Sequence, residues 1–409
     1  MAKRYTINAG HQRRLRLRRI LLLILFMFVI IAYSLFSYKS LICFELCSYE
    51  SSLTHDRLTF DRHHFIEHYS EFVCPQNFRN LADWVYGWSN DIEVATYGYF
   101  ISYCLPAGSI IYVKTDSLPF FFRDSYPYLI NNFVLITGQS DASSPGRFLS
   151  FLHDTNSKII HWFGQNADIQ SSQSNKFTPI PIGLNCHEMA SAIRYVHQQY
   201  SNHTLPSVFS RPDEPQHYIH PHDSTQQVLA GHYHPQLLLL NFEQFTDPTR
   251  FRLLIWQTLC RRSSSNLTFV TCIEKSDGAN ISNLLHIYTR NRQYPYWLSP
   301  RGNGLDCHRT WEALYLDVIP IVYDSTLSSL YLDLPIIVLN DTHEFNEHFL
   351  RTKLKEIAMK KMKSPSVYQM EKLRFSYWRR LILNKSRHSA ENMKRGNQCW
   401  RAKMLTKTN

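Results

Sequence analysis

Residues 297–338 (WLSPRGNGLDCHRTWEALYLDVIPIVYDSTLSSLYLDLPIIV) hold the residue types best suited to chemistry. Arg301 and Asn303 alternate with Gly302 and Gly304, in a turn where glycine admits backbone angles that other residues resist. The spacing predicts a helix after it. Asp306 is an N-cap type, and Cys307, Trp311, Leu314 and Tyr315 gather on one apolar face. A helix N-terminus offers free N–H groups and the positive end of a dipole, so this loop favours an anion. His308 and Glu312 are four apart and share a helix face. A phosphate at the loop and a ribose hydroxyl on Glu312 fit this layout. So does a surface ion pair between Arg301 and Glu312, and spacing alone leaves both open.

The surrounding pattern is α/β. Residues 318–322 form a β-branched run, Ser325 caps a second short helix, and 336–339 is another buried strand, giving a β-loop-α-β-α-β unit of the kind that builds parallel sheets. Upstream, 237–242 (LLLLNF) is a strand, Asp247-Pro248 starts a helix running to about Cys260, 269–273 is a strand, and 282–289 a helix. These make a second Rossmann-like domain over 235–345. A first Rossmann-like domain spans 92–234, with continuous apolar strands at 109–114 (SIIYVK), 132–137 (NFVLIT) and 158–163 (KIIHWF), then an extended 177–184 (FTPIPIGL). Its polar loops at strand ends carry Asp141, Gln165 and Asn166. Asp141 is either a helix cap or a group facing the interdomain cleft, whereas His161 reads as a packed strand residue. Between residues 187 and 236 the chain is polar and rich in Pro and His, and the irregular spacing of its histidines argues for a surface connection over a metal site.

The stretch 299–322 resembles the donor-binding half of exostosin-like glycosyltransferases, and more closely a group of GT-B-type transferases carrying PRGNGxDCHRTWEAL…G.IPIV. Segments like VLITGxSD, KIIHWFxQN and TPIPIGL extend the likeness over roughly 108–187 and 235–345. The resemblance implies that Arg301 and the amides of Gly302, Asn303 and Gly304 hold a nucleotide-sugar diphosphate, that Glu312 binds the ribose, and that His308 and Arg309 add donors. Asp141 is then the candidate general base for the acceptor hydroxyl. It also implies a C-terminal helix, within 368–383, that crosses back to the first domain. Where the group has glycine before the IPIV strand, this chain has Asp317.

Charge is divided along the chain. Residues 1–39 hold eight Lys/Arg and no acid, and 351–409 hold seventeen against three acids, whereas 40–350 hold nineteen against thirty. An acidic body between basic ends argues against a nucleic-acid partner. Residues 1–19 form a basic tail before 20–38, nineteen residues without a charge, which is the length of a membrane-spanning helix. The basic flank places the N-terminus in the cytosol and the body in the lumen of the Golgi or ER. A cleaved signal peptide fits less well, because the apolar run is too long. Residues 39–91 read as a stem and 346–409 as a basic helical segment. Sequons at Asn202, Asn266, Asn280, Asn340 and Asn384 suit a lumenal body, as do nine cysteines, of which Cys43 and Cys47 are placed to link two chains in a dimer. The only near match to a metal-carrying Asp-x-Asp is Asp91-Ile92-Glu93, so the expected reaction needs no metal and no cofactor beyond the co-substrate, a nucleotide sugar of the UDP type. The expected function is membrane-anchored hexosyl or pentosyl transfer to a glycan or glycoprotein. A lectin-like or scaffolding protein that kept the fold without catalysis is the rival, with Asp317 as its one hint.

Overall fold

Continuous apolar runs become the strands of two parallel five-stranded sheets. The computed structural model describes residues 19–35, 37, 71–87, 101–102, 105–186, 188–200, 228, 231, 233–261, 267–274, 281–341, 346–364 and 367–386. The first sheet runs in chain order: β1 (Trp84–Tyr86), β2 (Ser109–Lys114), β3 (Phe133–Gly138), β4 (Ile159–Gly164) and β5 (Phe177–Pro179). Every pairing is parallel. This sheet starts earlier than residue 92, the expected boundary. The segment assigned to the stem supplies β1, and its Cys74 bonds Cys186 with the Cα atoms 5.8 Å apart, because Trp84 and Phe78 carry apolar bulk that only a core can bury. The expected strand at 177–184 ends at Pro179, where prolines remove ladder donors.

The second sheet contains β6 (Leu238–Leu240), β7 (Val270–Cys272), β8 (Tyr296–Leu298), β9 (Ile319–Tyr323) and β10 (Ile337–Leu339), in the spatial order β10-β9-β8-β6-β7. Strand order therefore reverses between β6 and β8. Helices α1 (Met189–Tyr200), α2 (Phe251–Trp256), α3 (Ile281–Asn291), α4 (His308–Tyr315), α5 (Ser328–Tyr331), α6 (Glu347–Lys363) and α7 (Phe375–Lys385) accompany the sheets. One face of the second sheet packs Leu238, Tyr296 and Ile319 against Leu350 and Leu354 of α6. The other packs Leu239, Trp297 and Val322 against Trp311 and Leu314 of α4, in a core that continues unbroken into the first domain. Helix α7, in the place of the helix expected within 368–383, packs on the segment before β1: Phe375 meets Phe78 edge-on at 5.4 Å, and its N–H donates to Glu71 O at 2.9 Å. A second disulfide, Cys260–Cys272, ties the chain after α2 to β7.

Residues 19–35 are helical with their apolar side chains exposed, and among the described residues no helix is long and apolar enough to cross a membrane. Cys43, Cys47, Asp91, Glu93 and the sequons at Asn202, Asn266 and Asn280 lie outside the described residues. Asn340 and Asn384 are described and exposed.

Two local features carry consequences for stability. Asp317 takes a left-handed conformation, φ 58°, just past the end of α4. The N–H of Asp317 donates to Leu314 O at 3.2 Å and that of Val318 to Ala313 O at 2.9 Å, the paired bonds of a Schellman terminus, where glycine is usual. The carboxylate recovers part of the strain by facing the buried Arg292 at 3.5 Å, whose Nε also donates to Leu316 O at 3.2 Å. Asp317→Gly removes the strain and the ion pair together, so urea unfolding should show a change under about 1 kcal/mol, whereas Asp317→Val, β-branched at positive φ, should lose about 2–3 kcal/mol.

His161 on β4 is buried with Nε2 hydrogen-bonded to Thr178 Oγ1 at 2.8 Å. Burial, aided by the charge of Lys385, pushes its pKa from 6.5 down to about 4. The unfolded chain therefore takes up a proton that the fold refuses between those values, and stability present above pH 6.5 is lost as pH falls towards 4. His161→Gln should flatten this acid-side decline by up to about 1.4 kcal/mol per pH unit, read from denaturation midpoints at pH 7, 6 and 5.

Candidate functional site

Open parallel sheets bind ligands outside the carboxyl ends of their strands where strand order reverses. In the second sheet the chain leaving β8 at that point is the Pro300–Gly304 loop. A buried arginine from α2 holds it in place. Arg252 donates from Nε to Arg301 O at 2.8 Å, from Nη2 to Pro300 O at 3.0 Å and Cys307 Sγ at 3.3 Å, and from Nη1 to Glu243 O at 3.2 Å and Thr246 Oγ1 at 2.7 Å. A Cβ on Gly302 would sit 3.0 Å from Arg252 Nη2, so the glycine allows this approach. Sequence reasoning gave Arg252 no role beyond the helix. Its position among the apolar residues of FRLLIW marks it as unusual, but only the fold shows which carbonyls it meets.

With its backbone fixed, the Arg301 side chain lines a cavity of about 300 Å³ at the carboxyl ends of β8, β9 and β10. Its Nε is buried and has no hydrogen-bond partner among the described residues. Phe251 and Tyr323, packed edge-to-face at 4.7 Å, form an apolar wall, and Asp324, Ser325 and Asn340 add polar groups. The thiol of Cys307 also lines the cavity, and burial raises its pKa, so it stays protonated.

The loop ends at the seam between the domains. Asn166, at φ 51° after β4, donates to Ser140 O at 2.8 Å and accepts from Asp306 N at 2.7 Å. Gly304 lies beneath it: an added Cβ would stand 2.9 Å from both its amide N and O atoms. The Asp306 carboxylate is buried and accepts from Ile182 N of the first domain at 2.8 Å, Cys307 N at 2.9 Å, Trp311 Nε1 at 2.9 Å and Tyr331 OH at 3.0 Å. Burial raises its pKa against the lowering effect of these donors. The expected N-cap role of Asp306 falls instead to Cys307, which has no side-chain cap bond, because the carboxylate is drawn to Trp311, Tyr331 and Ile182.

The remaining expected residues divide between the seam and the helix flank. His308 Nδ1 lies 2.6 Å from Gly183 O, and since a carbonyl only accepts, Nδ1 carries the proton. Arg309 spends Nη1 and Nη2 on the side chain and backbone carbonyl of Asn241 after β6. Glu312 is absent from the cavity lining. It faces Tyr288, whose phenol pKa is raised by burial and by that charge, and it supports the charge of Arg309 against burial. Glu312 is thus not part of the cavity that Arg301 lines, and the alternative ion pair between the two does not form. Asn303 is exposed at the loop tip. Asp141 is exposed in the loop after β3, one residue beyond Ser140, whose carbonyl Asn166 ties to the seam.

Comparison with solved structures finds a likeness to the crystal structure of an alpha1,3-fucosyltransferase, at 14% sequence identity and a TM-score of 0.31, covering 70% of this chain and 79% of that chain. No family model and no curated protein matches the chain.

The contact between Gly304 and Asn166 is testable by a double-mutant cycle. Gly304→Ala should cost about 1–3 kcal/mol by urea unfolding, because the methyl displaces an amide that bonds both domains. In an Asn166→Ala background the same substitution should cost less by at least about 1 kcal/mol.

Proposed function

We propose that the chain is a glycosyltransferase of the GT-B type, moving a sugar from a nucleotide-sugar donor to a hydroxyl of a glycan or glycoprotein. The observation that carries this reading is Arg301: a cationic side chain whose buried Nε has no partner among the described residues, lining a cavity at the carboxyl ends of parallel strands. A diphosphate there would find a guanidinium whose backbone is already fixed by Arg252, so little reorganisation is needed when charge develops on the leaving group. The exostosin-like affinity rests on the sequence stretch 299–322.

Transfer requires a base opposite the donor. Asp141 is the group we assign, because its loop and Asp306, two residues past the Pro300–Gly304 loop, both bond to Asn166. The acceptor proton passes to its carboxylate as the new glycosidic bond forms, and the nucleoside diphosphate leaves with the bonding electrons toward Arg301. We assign neutralisation to Arg301 without a metal. The rival is a fold without catalysis, whose hint is Asp317; that residue ends α4 in a left-handed conformation beside Arg292. We place the body in the lumen of the Golgi or ER, with residues 20–38 as a single-pass anchor. The two disulfides and the exposed sequon asparagines Asn340 and Asn384 support that setting.

Incubation of the full chain with a panel of nucleotide sugars, with and without glycan acceptors, tests this. Release of nucleoside diphosphate is expected from at least one donor, with Arg301→Ala lowering the rate by about 10²-fold or more and a chelator leaving it unchanged. Activity lost in chelator and restored by Mn²⁺ would overturn the metal-free assignment, and wild-type turnover matched by Arg301→Ala would overturn the role of Arg301.

A further inference from the structure

We infer that Asp324, and not Glu312, is the carboxylate that reads the hydroxyl groups of the ligand whose anion Arg301 holds. This rests on the anion-site reading and extends it to the other end of the cavity.

Arg301 and Asp324 line the same cavity, from the carboxyl ends of β8 and β9, yet form no ion pair with each other. Opposite charges left apart across a cavity suit a ligand that is anionic at one end and rich in hydroxyl donors at the other. Asp324 is positioned for the second task. Its N–H donates to Leu339 O at 2.8 Å, which registers it against β10, and Ser328 Oγ donates to Oδ1 at 2.6 Å, which orients the carboxylate. The side chain is exposed, so Oδ2, which has no partner among the described residues, is open to solvent and available to accept. Asn340, at the end of β10, and Ser325 add polar atoms beside it, while Phe251 and Tyr323 supply the apolar wall a sugar or base ring would need. Glu312 does not line this cavity, and its charge acts on Tyr288 and Arg309.

The chemistry recognised is a pair of neighbouring hydroxyls, which a nucleotide sugar carries both on its ribose and on its transferred sugar. Titration calorimetry on the full chain separates these, using inorganic pyrophosphate, UDP and GDP, their 2′-deoxy forms, and UDP-glucose as probes. Asp324→Asn should weaken the preferred nucleoside diphosphate (ribose as partner) or UDP-glucose alone (transferred sugar as partner) about tenfold, the value of one lost hydrogen bond to a charged acceptor, while pyrophosphate binds as well as before or more tightly, since a negative charge is gone. Retained pyrophosphate binding also shows that the variant is folded. If the ribose is the partner, removing its 2′-hydroxyl weakens binding to wild type and not to Asp324→Asn. If the transferred sugar is the partner, Asp324→Asn abolishes the difference between UDP-glucose and UDP.

Affinity unchanged in Asp324→Asn for both the nucleoside diphosphate and UDP-glucose, or the same tenfold loss in Glu312→Gln instead, overturns the inference while leaving the anion site intact. Pyrophosphate binding that is absent in wild type, or equal in wild type and Arg301→Ala, removes the anion site and this inference with it.

Discussion

A buried carboxylate with only neutral hydrogen-bond partners holds the two domains in register. Asp306 accepts from one backbone N–H of the first domain and from a backbone N–H, an indole and a phenol of the second. Burying such a charge costs several kcal/mol, and each donor returns roughly 1.5–3 kcal/mol, so the arrangement tolerates no missing partner. Burial still outweighs the donors, as the raised pKa of Asp306 shows. Any motion separating the domains at this point must strip Ile182 from the carboxylate.

That constraint reaches the cavity, because the residues that shape it are continuous with those that make the seam. Asp306 lies five positions after Arg301, and Asn166 meets Asp306 N on one side and the Asp141 loop on the other. The opposite cavity wall is propped from the first domain too: Thr326 Oγ1 donates to Ala167 O at 2.5 Å, and Ser329 Oγ lies 2.9 Å from Ser171 Oγ. A second set of contacts closes the far side, where Tyr315 OH accepts from Val73 N and donates to Leu373 O, and His197 bonds Tyr315 O. The site and the interdomain geometry are therefore set by the same hydrogen bonds.

Asp317 illustrates how a departure from a pattern is absorbed. Only a left-handed residue ends α4 so that the chain can enter β9, and glycine does this without strain. Aspartate meets the same requirement here because a buried arginine, Arg292, already waits on the adjacent Leu316 carbonyl.

Much of this architecture is legible in residue order alone. Apolar runs of strand length separated by helical periodicity dictate parallel α/β layers, and they mark SIIYVK as β2 to the residue. The glycines of PRGNG signal close approach, and the loop's anion preference follows from the helix after it. Local order does not reveal which partner each polar side chain finds, since those partners lie over a hundred positions away, as Gly183 does for His308 and Ile182 for Asp306. Nor does it reveal that Arg309 is consumed by Asn241, that Arg252 braces the loop, or that Asp324 lines the cavity and Glu312 does not. Residue type and spacing determine which groups are able to do chemistry. Only the packing of two sheets against one another decides which of them are left free to do it, because a buried polar group must first satisfy its nearest neighbours.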